Sequence, residues 1–376
     1  MEYKSLRSLN ANPSLLGFGC MRFPTKENGE IDEAEAEKLL DYAIANGVNY
    51  IDTAYPYHEG NSEPFVGRVL KKYPRDRFYL ATKLPLWSLT ELADAERIFE
   101  EQCRRLQTDT FDFYLLHALD QEKWQKTLNL QIIPFLEKKQ KEGRIGHLGF
   151  SFHDDYDTFQ KILLYRKWDF CQLQLNYMDM NIQAGMKGYQ LAAQNEVPVI
   201  VMEPIKGGRL VNLPQEFQAR FLNECPNASL ASWALRYVAS LPNVAVVLSE
   251  MSSMEQVADN VKTFSPFVAL NEKEQNIVDE VADLLHARVR NGCTGCGYCM
   301  PCPFGVNIPT NFKIWNETAI YAEKEKGQSS YRKLDQAAAE YCRKCGKCEA
   351  LCPQHLPIRS DLKKVAAELT ESELVR

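Results

Sequence analysis

The chain contains 376 residues, which at about 150 residues per domain is room for two or three domains, or for a large domain followed by a small one. It carries 44 Lys and Arg against 50 Asp and Glu, and the resulting net charge of -6 argues against a nucleic-acid-binding protein. A hydrophobic fraction of 45% with 25% charged residues is typical of a soluble globular protein. No apolar run reaches the roughly 18 residues that span a bilayer, and the amino terminus lacks the apolar core of a signal peptide. We therefore expect a cytoplasmic protein that binds neither nucleic acid nor a membrane.

Eight short, apolar and nearly continuous segments recur over the first 290 residues, as is typical of parallel strands buried on both faces. They are Leu16–Arg22, Val48–Thr53, Phe78–Lys83, Phe111–His117, Ile145–Phe152, Phe170–Asn176, Val197–Pro204 and Val244–Glu250. Helical spacing is found between them, and the clearest helices are predicted over Asp32–Asn46, Glu96–Gln107 and Trp124–Glu142. Gly47 and Gly143 follow two of these segments, where a glycine can end a helix.

Eight strand-helix units in about 250 residues match the count and size of an α/β fold of the (β/α)8 TIM-barrel type. An open, doubly wound sheet is the alternative. That fold normally carries a glycine-rich phosphate loop and a helix after its first strand. Here the first strand continues Gly17-Phe18-Gly19-Cys20-Met21-Arg22, without a third glycine, so the pattern favours the barrel.

Three successive predicted strands end in an ionisable residue, namely Asp52, Lys83 and His117, and Tyr57 follows Asp52 by five residues. In a TIM barrel these strand ends form the active-site face. A lysine there lowers the pKa of a nearby phenol, an aspartate holds the lysine, and a histidine orients a carbonyl oxygen. Each residue alone could be an ordinary strand-end, cap, interior or rim residue, but all four at one end of adjacent strands indicate a proton donor for carbonyl reduction.

Several segments resemble those of the aldo-keto reductase family over residues 3 to 285. They are Asp52-Thr53-Ala54-Tyr55-Pro56-Tyr57, Ala81-Thr82-Lys83, Tyr114-Leu115-Leu116-His117, Gly143-Arg144-Ile145-Gly146 and Gly149-Phe150-Ser151. The resemblance implies an enzyme that transfers hydride between a nicotinamide cofactor and a carbonyl carbon. It implies Tyr57 as the general acid, Lys83 as the residue that lowers its pKa, Asp52 as the partner of Lys83, and His117 as the residue that orients the substrate oxygen.

The same resemblance implies the cofactor-binding residues. Ser151 and Gln172 match the residues that hold the nicotinamide carboxamide, although Phe152 or His153 stands where the family has an asparagine. The segment containing Lys206, Gly207, Gly208 and Arg209 resembles the pyrophosphate loop, in which glycines permit close backbone approach and the two cations attract phosphate. An ordinary surface turn is the alternative.

At the adenosine end, Asp259 and Asn260 match the family's adenine contacts. Glu250 and Met251 lie near the positions where the NADPH-specific members have Lys and Ser, and Gln256 where they have Arg. A carboxylate there repels a 2′-phosphate and suits a free ribose hydroxyl. The expected cofactor is thus NADH or NADPH, with NADH a serious candidate.

Eight of the twelve cysteines lie in the last 86 residues, in two runs that each end in Cys-Pro. The second run, Cys342, Cys345, Cys348 and Cys352, has the bacterial ferredoxin spacing, and the first, Cys293, Cys296, Cys299 and Cys302, is one residue shorter. In that pattern the fourth cysteine usually ligates the other cluster. We therefore expect two [4Fe-4S] clusters, one held by Cys293, Cys296, Cys299 and Cys352, and the other by Cys342, Cys345, Cys348 and Cys302.

Structural zinc is the alternative reading of these cysteines, although zinc requires paired C-x2-C motifs rather than evenly spaced quartets with a trailing proline. The composition changes near residue 290, which predicts a barrel domain over 1–285 and a ferredoxin-type domain over 286–376. Helical character over Asn311–Lys326 and Tyr331–Tyr341 predicts that this second domain is mainly helical. Aldo-keto reductases with such a tail form a recognisable branch of the family.

Three functions remain open, because nicotinamide gives up two electrons as hydride whereas an iron–sulfur cluster handles one at a time. The favoured function is reduction of a small-molecule carbonyl, or the reverse reaction. The second is electron transfer with a ferredoxin or flavoprotein partner, and the third is a non-enzymatic redox sensor on a reductase scaffold. Aromatic residues in the predicted mouth loops, Tyr55, Trp87 and Tyr177, hint at a sugar-like substrate.

Overall fold

The computed structural model describes residues 1–6 and 9–370. They divide into two compact units, one of residues 1–211 with 224–275, and one of residues 212–223 with the chain from 276 onward. The predicted domain boundary between residues 285 and 286 stays a prediction. None of the helices within the described residues combines the length and the apolar composition that a membrane crossing needs.

Eight parallel strands of the described chain close into a barrel in the order β1 to β8, which confirms the TIM barrel against the open sheet. The strands are β1 Leu16–Gly19, β2 Tyr50–Asp52, β3 Tyr79–Leu84, β4 Phe111–Leu119, β5 Ile145–Phe152, β6 Phe170–Gln174, β7 Val199–Met202 and β8 Val244–Glu250. Most of their residues are buried, as expected of parallel strands covered on both faces. The carboxyl ends of all eight strands therefore lie at one mouth.

The opposite end of the barrel is closed by apolar side chains. Tyr50, Phe113, Phe170 and Ile200 belong to one buried cluster inside the barrel, and Leu6 packs against it. Because this packing fills the amino-terminal end, only the carboxyl-terminal mouth is left for polar side chains, as in other barrels of this type.

The helices of the first unit follow the strands around the barrel. They are α1 Glu33–Ala45, α2 Ser62–Leu70, α3 Leu92–Leu106, α4 Gln121–Asn129, α5 Ile132–Lys141, α6 Tyr156–Leu163, α7 Gly185–Gln194, α9 Leu230–Ala239 and α10 Met254–Thr263. The single helix predicted over Trp124–Glu142 is two helices, α4 and α5, separated by Gln131 with a φ of 54°. Pro134 explains the break, since proline fits the first turn of α5 but would interrupt a continuous helix.

The second unit is mainly helical, as predicted. It contains α8 Gln215–Glu224, the greater part of α11 Glu272–His286, and then α12 Ile308–Tyr321, α13 Lys324–Arg332, α14 Lys347–Ala350 and α15 Ile358–Leu369. Its core is formed by α12 and α15, with Phe312, Trp315, Leu362 and Val365 buried together.

Two helix predictions in this unit differ from the structure. The predicted helix Asn311–Lys326 ends at Tyr321, because Ala322 adopts a left-handed conformation, and α13 begins after it. Tyr331–Tyr341 forms the end of α13 and two short 3-10 turns instead of a helix. Burial of Ala338 and Ala339 in the core takes precedence over the helix propensity of this alanine-rich segment.

Candidate functional site

Three predicted catalytic side chains come from the carboxyl ends of consecutive strands. Asp52 is the last residue of β2, Lys83 is the penultimate residue of β3, and His117 lies near the end of β4. Neighbouring strands of a closed parallel barrel end at the same rim, so the topology itself brings these residues together.

Lys83 and Asp52 form a buried ion pair. The Lys83 Nζ lies 2.5 Å from Asp52 Oδ1, and the two side chains are 1% and 3% exposed. The ammonium also donates a hydrogen bond to the Thr53 carbonyl at 2.8 Å. Burial lowers the pKa of Lys83, but its interactions with Asp52 and Tyr57 together outweigh this effect and hold the pKa above its ordinary value. The pair therefore keeps the Lys83 ammonium protonated and fixed in position at the mouth.

Tyr57 lies directly beside this positive charge. It opens a short turn after β2, Tyr57–Gly60, in which His58 and Glu59 have φ angles of 51° and 56°. The Lys83 Nζ lies 5.0 Å from the centre of the Tyr57 ring. Burial raises the pKa of Tyr57 to about 12, and although Lys83 lowers it, the carboxylates Asp52 and Glu250 add to the rise. The phenol is therefore protonated at neutral pH and has a proton to donate.

His117 completes the group. Its ring centre lies 5.9 Å from that of Tyr57 and 4.9 Å from that of Trp87. Burial, together with the charge of Lys83, holds the pKa of His117 well below its ordinary value, so the imidazole is neutral. Its buried Nδ1 has no hydrogen-bond partner among the described residues. A neutral imidazole beside a protonated phenol can orient a carbonyl oxygen by hydrogen bonding.

Of the three aromatic residues expected at the mouth, only Trp87 presents a ring to the site. It is 47% exposed and stacks at a tilt on His117. Tyr55 donates a hydrogen bond to Glu101 at 2.9 Å, with Arg105 over its ring. Tyr177 is buried against Tyr237. The structure thus reduces the predicted aromatic lining to a single exposed indole.

Ser151 and Gln172, expected at the nicotinamide carboxamide, are register neighbours on β5 and β6. The Ser151 hydroxyl oxygen accepts a hydrogen bond from the Ala118 backbone N–H at 2.7 Å, which fixes the serine on the rim next to β4. The Gln172 side-chain oxygen is buried and has no partner among the described residues. A carboxamide N–H would satisfy this acceptor, so this pair of residues fits the group that the prediction assigns to it.

The predicted pyrophosphate loop is a turn, Lys206–Val211, in which Gly207 and Gly208 have φ angles of 60° and 89° and Arg209 follows them. Space around Gly208 is open, since a side-chain carbon added there would meet no atom within 4 Å. Lys206 is not a free cation, because its Nζ lies 2.5 Å from both carboxylate oxygens of Asp179. The loop therefore offers glycines at which a phosphate could approach the backbone, and a lysine already paired with a buried aspartate.

Glu250, the last residue of β8, is paired with Arg22, which follows β1, at 2.5 Å between Oε2 and Nε. Burial raises the pKa of Glu250, and Arg22 opposes this rise. A side-chain carbon added to Gly207 would lie 3.6 Å from Arg22 Nη2 and 3.7 Å from Glu203 Oε2. Arg22, the partner of Glu250, therefore borders the predicted pyrophosphate loop, and so does Glu203. Two carboxylates and one guanidinium thus stand at this part of the mouth.

The two residues predicted to contact adenine already have protein partners. Asp259 accepts a hydrogen bond from the Ser229 hydroxyl at 2.5 Å. The Asn260 side chain is buried and donates to the Ser249 hydroxyl at 2.9 Å. Asn260 therefore fastens α10 to β8, and Asp259 is the more accessible of the two for a ligand.

In the second unit, the cysteines line two cavities in the crossed arrangement predicted from their spacing. One cavity is lined by Cys293, Cys296, Cys299 and Cys352. The other is lined by Cys302, Cys342, Cys345 and Cys348, with Cys299 on the wall between the two. Each cavity thus combines three cysteines of one run with the fourth of the other. All eight are free thiols, the ligand type of iron–sulfur clusters.

Structural zinc is the alternative to an iron–sulfur cluster in these cavities. Zinc bound by four thiolates draws the sulfurs to about 2.3 Å from one centre. Among the described residues, no three His, Cys, Asp or Glu side chains are arranged to share one ion.

A model of the Aldo/keto reductase family matches residues 15–283, well over half of the chain. The chain belongs to the aldo-keto reductase family. It is an oxidoreductase, and a model of the 4Fe-4S dicluster domain matches residues 292–356. Both the predicted family and its branch with a ferredoxin-like domain are confirmed.

Known relatives match about seven tenths of the chain. An uncharacterized oxidoreductase of Bacillus subtilis, YqkF, is 24% identical over 293 residues, 70% of this chain and 90% of its own length. The NADH-specific methylglyoxal reductase of Escherichia coli is 24% identical over 311 residues, 69% of this chain and 90% of its own. Among solved structures, the aldo-keto reductase AKR11C1 of Bacillus halodurans is 27% identical with a TM-score of 0.63, covering 74% of this chain and 96% of its own.

Three residues at the mouth of this aldo-keto reductase were missed by the sequence prediction in these roles. Asp179 pairs with Lys206, Arg22 pairs with Glu250, and Trp87 packs on His117. The spacing Asn176-x-x-Asp179 was the only local signal, because Asn176 accepts hydrogen bonds from the backbone N–H groups of residues 178 and 179 and so shapes the turn that carries the aspartate. Arg22 meets Glu250 only because β1 and β8 close the barrel, and Trp87 meets His117 across the neighbouring strands β3 and β4.

Proposed function

We propose that this aldo-keto reductase reduces a carbonyl of a small molecule to an alcohol, or catalyses the reverse, with NADH or NADPH. The bound nicotinamide would supply or accept hydride. The single observation that carries the proposal is the buried Lys83–Asp52 pair placed against a protonated Tyr57, with a neutral His117 beside the phenol.

In the proposed reaction Tyr57 is the general acid. As negative charge develops on the carbonyl oxygen, the phenol donates its proton, and the Lys83 ammonium stabilises the phenolate that remains. Asp52 holds Lys83 in place and is itself held by it. His117 donates a hydrogen bond to the same oxygen and so orients the carbonyl, while Trp87 provides an apolar surface for the rest of the substrate.

The residues proposed to hold the cofactor are those that border this group. Ser151 and Gln172 would bind the carboxamide, the loop with Lys206, Gly207, Gly208 and Arg209 would bind the diphosphate, and Asp259 and Asn260 would contact the adenine. The carboxylate of Glu250 near the loop favours a cofactor with a free ribose hydroxyl. The NADH-specific relative from Escherichia coli supports this preference.

For the second unit we propose two [4Fe-4S] clusters, one in each cysteine cavity, with the crossed ligand sets described above. Anaerobically purified protein should contain about eight iron and eight sulfide ions per chain. Cys302→Ser should remove or alter the cluster held by the second cysteine run, and Cys352→Ser the other. Zinc in place of iron would contradict this proposal.

Oxidation of NADH and NADPH with methylglyoxal and a panel of aldoses and ketones tests the proposed reaction. Tyr57→Phe should lower kcat by about 100-fold or more, because general-acid catalysis contributes 10²–10⁴-fold. The affinity for the cofactor, measured by quenching of protein fluorescence, should remain unchanged. Retention of the wild-type kcat by the Tyr57→Phe enzyme would remove the phenol from the mechanism.

A further inference from the structure

The two cysteine cavities have surroundings of different charge. The cavity with Cys293, Cys296, Cys299 and Cys352 is lined only by uncharged residues, such as Thr294 and Gln354. The other cavity is lined by the cations Arg343, Lys344, Lys347 and Arg359. This difference lies within one compact unit and is a property of the second cysteine run.

Three of these cations are available to a partner. Arg343, Lys344 and Lys347, here called the cationic rim, are exposed and form no ion pair with any described residue. Arg359 differs from them, because Glu349 binds its guanidinium at 2.7 Å. The chain as a whole carries a net charge of -6, so the cationic rim is a local positive field on an acidic protein.

Exposed apolar side chains adjoin the cationic rim. Phe304 is 46% exposed and Leu351 is 59% exposed, and both line the same cavity. Cys345, one of the predicted ligands, is itself exposed. A group held there would lie close to the surface, within a patch of basic and apolar residues, which is the composition expected of a small transient docking surface.

We propose that the cationic rim is the docking surface for a small acidic iron–sulfur protein of the ferredoxin type, which exchanges one electron with the cluster held by Cys302, Cys342, Cys345 and Cys348. When the partner is the donor, it is oxidised by one electron and this cluster is reduced by one electron, while no covalent bond or proton is transferred. Positive charge around a cluster favours its reduced form, so this cluster is the better acceptor of the two. The inference rests on the clusters proposed above and goes beyond carbonyl reduction.

The experiment measures binding of a plant-type [2Fe–2S] ferredoxin, an acidic probe, to the oxidised holoprotein by calorimetry at low and high ionic strength. The triple variant R343E/K344E/K347E should raise the Kd at least about tenfold, since each close charge pair is reversed from attraction to repulsion. The neutral variant R343Q/K344Q/K347Q should lie between it and the wild type. High salt should weaken wild-type binding and remove most of the difference between the variants.

The matched control is K313E/K324E/K333E, which makes the same charge change at exposed residues that line neither cysteine cavity. It should change the Kd less than about threefold, because these lysines do not border the cavity at which the partner is proposed to dock. Iron content and absorbance establish that every variant retains its clusters. Equal Kd values for wild type and the rim reversal, or equal binding of the basic cytochrome c, would overturn the docking proposal. Absence of iron from the wild type would instead overturn the cluster proposal on which it rests.

Discussion

The barrel mouth and the cavity lined by Cys302, Cys342, Cys345 and Cys348 differ in whether their cationic side chains are paired with carboxylates. At the mouth, Lys83, Lys206 and Arg22 are each paired with a carboxylate within 2.5 Å. Around the cavity, the three cations of the rim are exposed and unpaired among the described residues. Pairing fixes a charge for chemistry on a bound small molecule, whereas an unpaired exposed charge acts at a distance and steers a charged partner.

The same contrast applies to the reactive groups. Tyr57 and His117 are half-buried, and burial is the main cause of their pKa shifts, so the barrel partly shields both side chains from water. The thiols of Cys296 and Cys345 are exposed, which suits electron exchange through the surface. This difference matches the proposals made above, a two-electron step with a proton at the mouth and one-electron steps at the cysteine cavity.

The largest expected effect comes from breaking the buried pair at the mouth. Lys83→Met should lower kcat for carbonyl reduction by about 10²–10⁴-fold, because the phenolate loses its neighbouring cation. It should also lower the free energy of unfolding by about 3–5 kcal/mol, since Asp52 is left buried without its partner. Steady-state kinetics and chemical denaturation measure the two effects.

The double variant Asp52→Asn with Lys83→Met is the control. It removes both charges, so most of the lost stability should return while the activity stays low. If the double variant recovered activity along with stability, the lysine would act only through the fold.

The pH dependence of kcat/KM should follow the protonation of the Tyr57 phenol. Tyr57 must carry a proton to donate it, and burial raises its pKa to about 12. The kcat/KM for carbonyl reduction should therefore stay level through neutral and mildly alkaline pH and fall only as pH rises towards that value. Alcohol oxidation should show the opposite sign, increasing with pH, because it requires the phenolate. A loss of reductase activity with an apparent pKa near 7 would assign the proton to another group.

Cofactor choice should depend on one carboxylate at the mouth. Glu250→Gln should raise the ratio of kcat/KM for NADPH over NADH about fivefold, because removal of one repulsive charge is worth about 1 kcal/mol at a partly solvated site. Glu203→Gln is the matched control, since this neighbouring carboxylate lies near Gly207 and should affect both cofactors equally. An unchanged ratio in Glu250→Gln would separate this residue from the ribose.

Local patterns in the sequence predicted most of the fold and much of the candidate site. Apolar runs ending in Asp52, Lys83 and His117 identified both the strands and the rim, because strand ends are fixed by the barrel topology. Cysteine spacing predicted the crossed cavities through its match to the ferredoxin pattern, in which the fourth cysteine of each run joins the other run. The break between α4 and α5 could also have been predicted from Pro134, because proline fits the first turn of a helix but interrupts a continuous one.

Two ion pairs at the mouth, Arg22–Glu250 and Lys206–Asp179, could not be predicted from the sequence. Arg22 and Glu250 are 228 residues apart and meet only because β1 and β8 close the barrel. Nor could composition reveal that Lys206 is paired, because Asp179 lies in a loop whose course depends on β6 and β7. Tyr331–Tyr341 has helical composition, but its alanines are drawn into the core.

The smallest effect is expected from breaking the ion pair between Asp179 and Lys206. Asp179→Asn retains the size of the side chain and its contacts with Gln174 and Asn176, but removes the charge that neutralises Lys206. The freed ammonium should strengthen binding of NADH by about threefold, because the diphosphate then meets an uncompensated positive charge. Lys206→Met should weaken NADH binding by a similar factor. If the aspartate acts only through the lysine, the double variant with Asp179→Asn should bind NADH as tightly as Lys206→Met alone. Fluorescence titration measures all three, and independent, additive effects would contradict a shared pathway through Lys206.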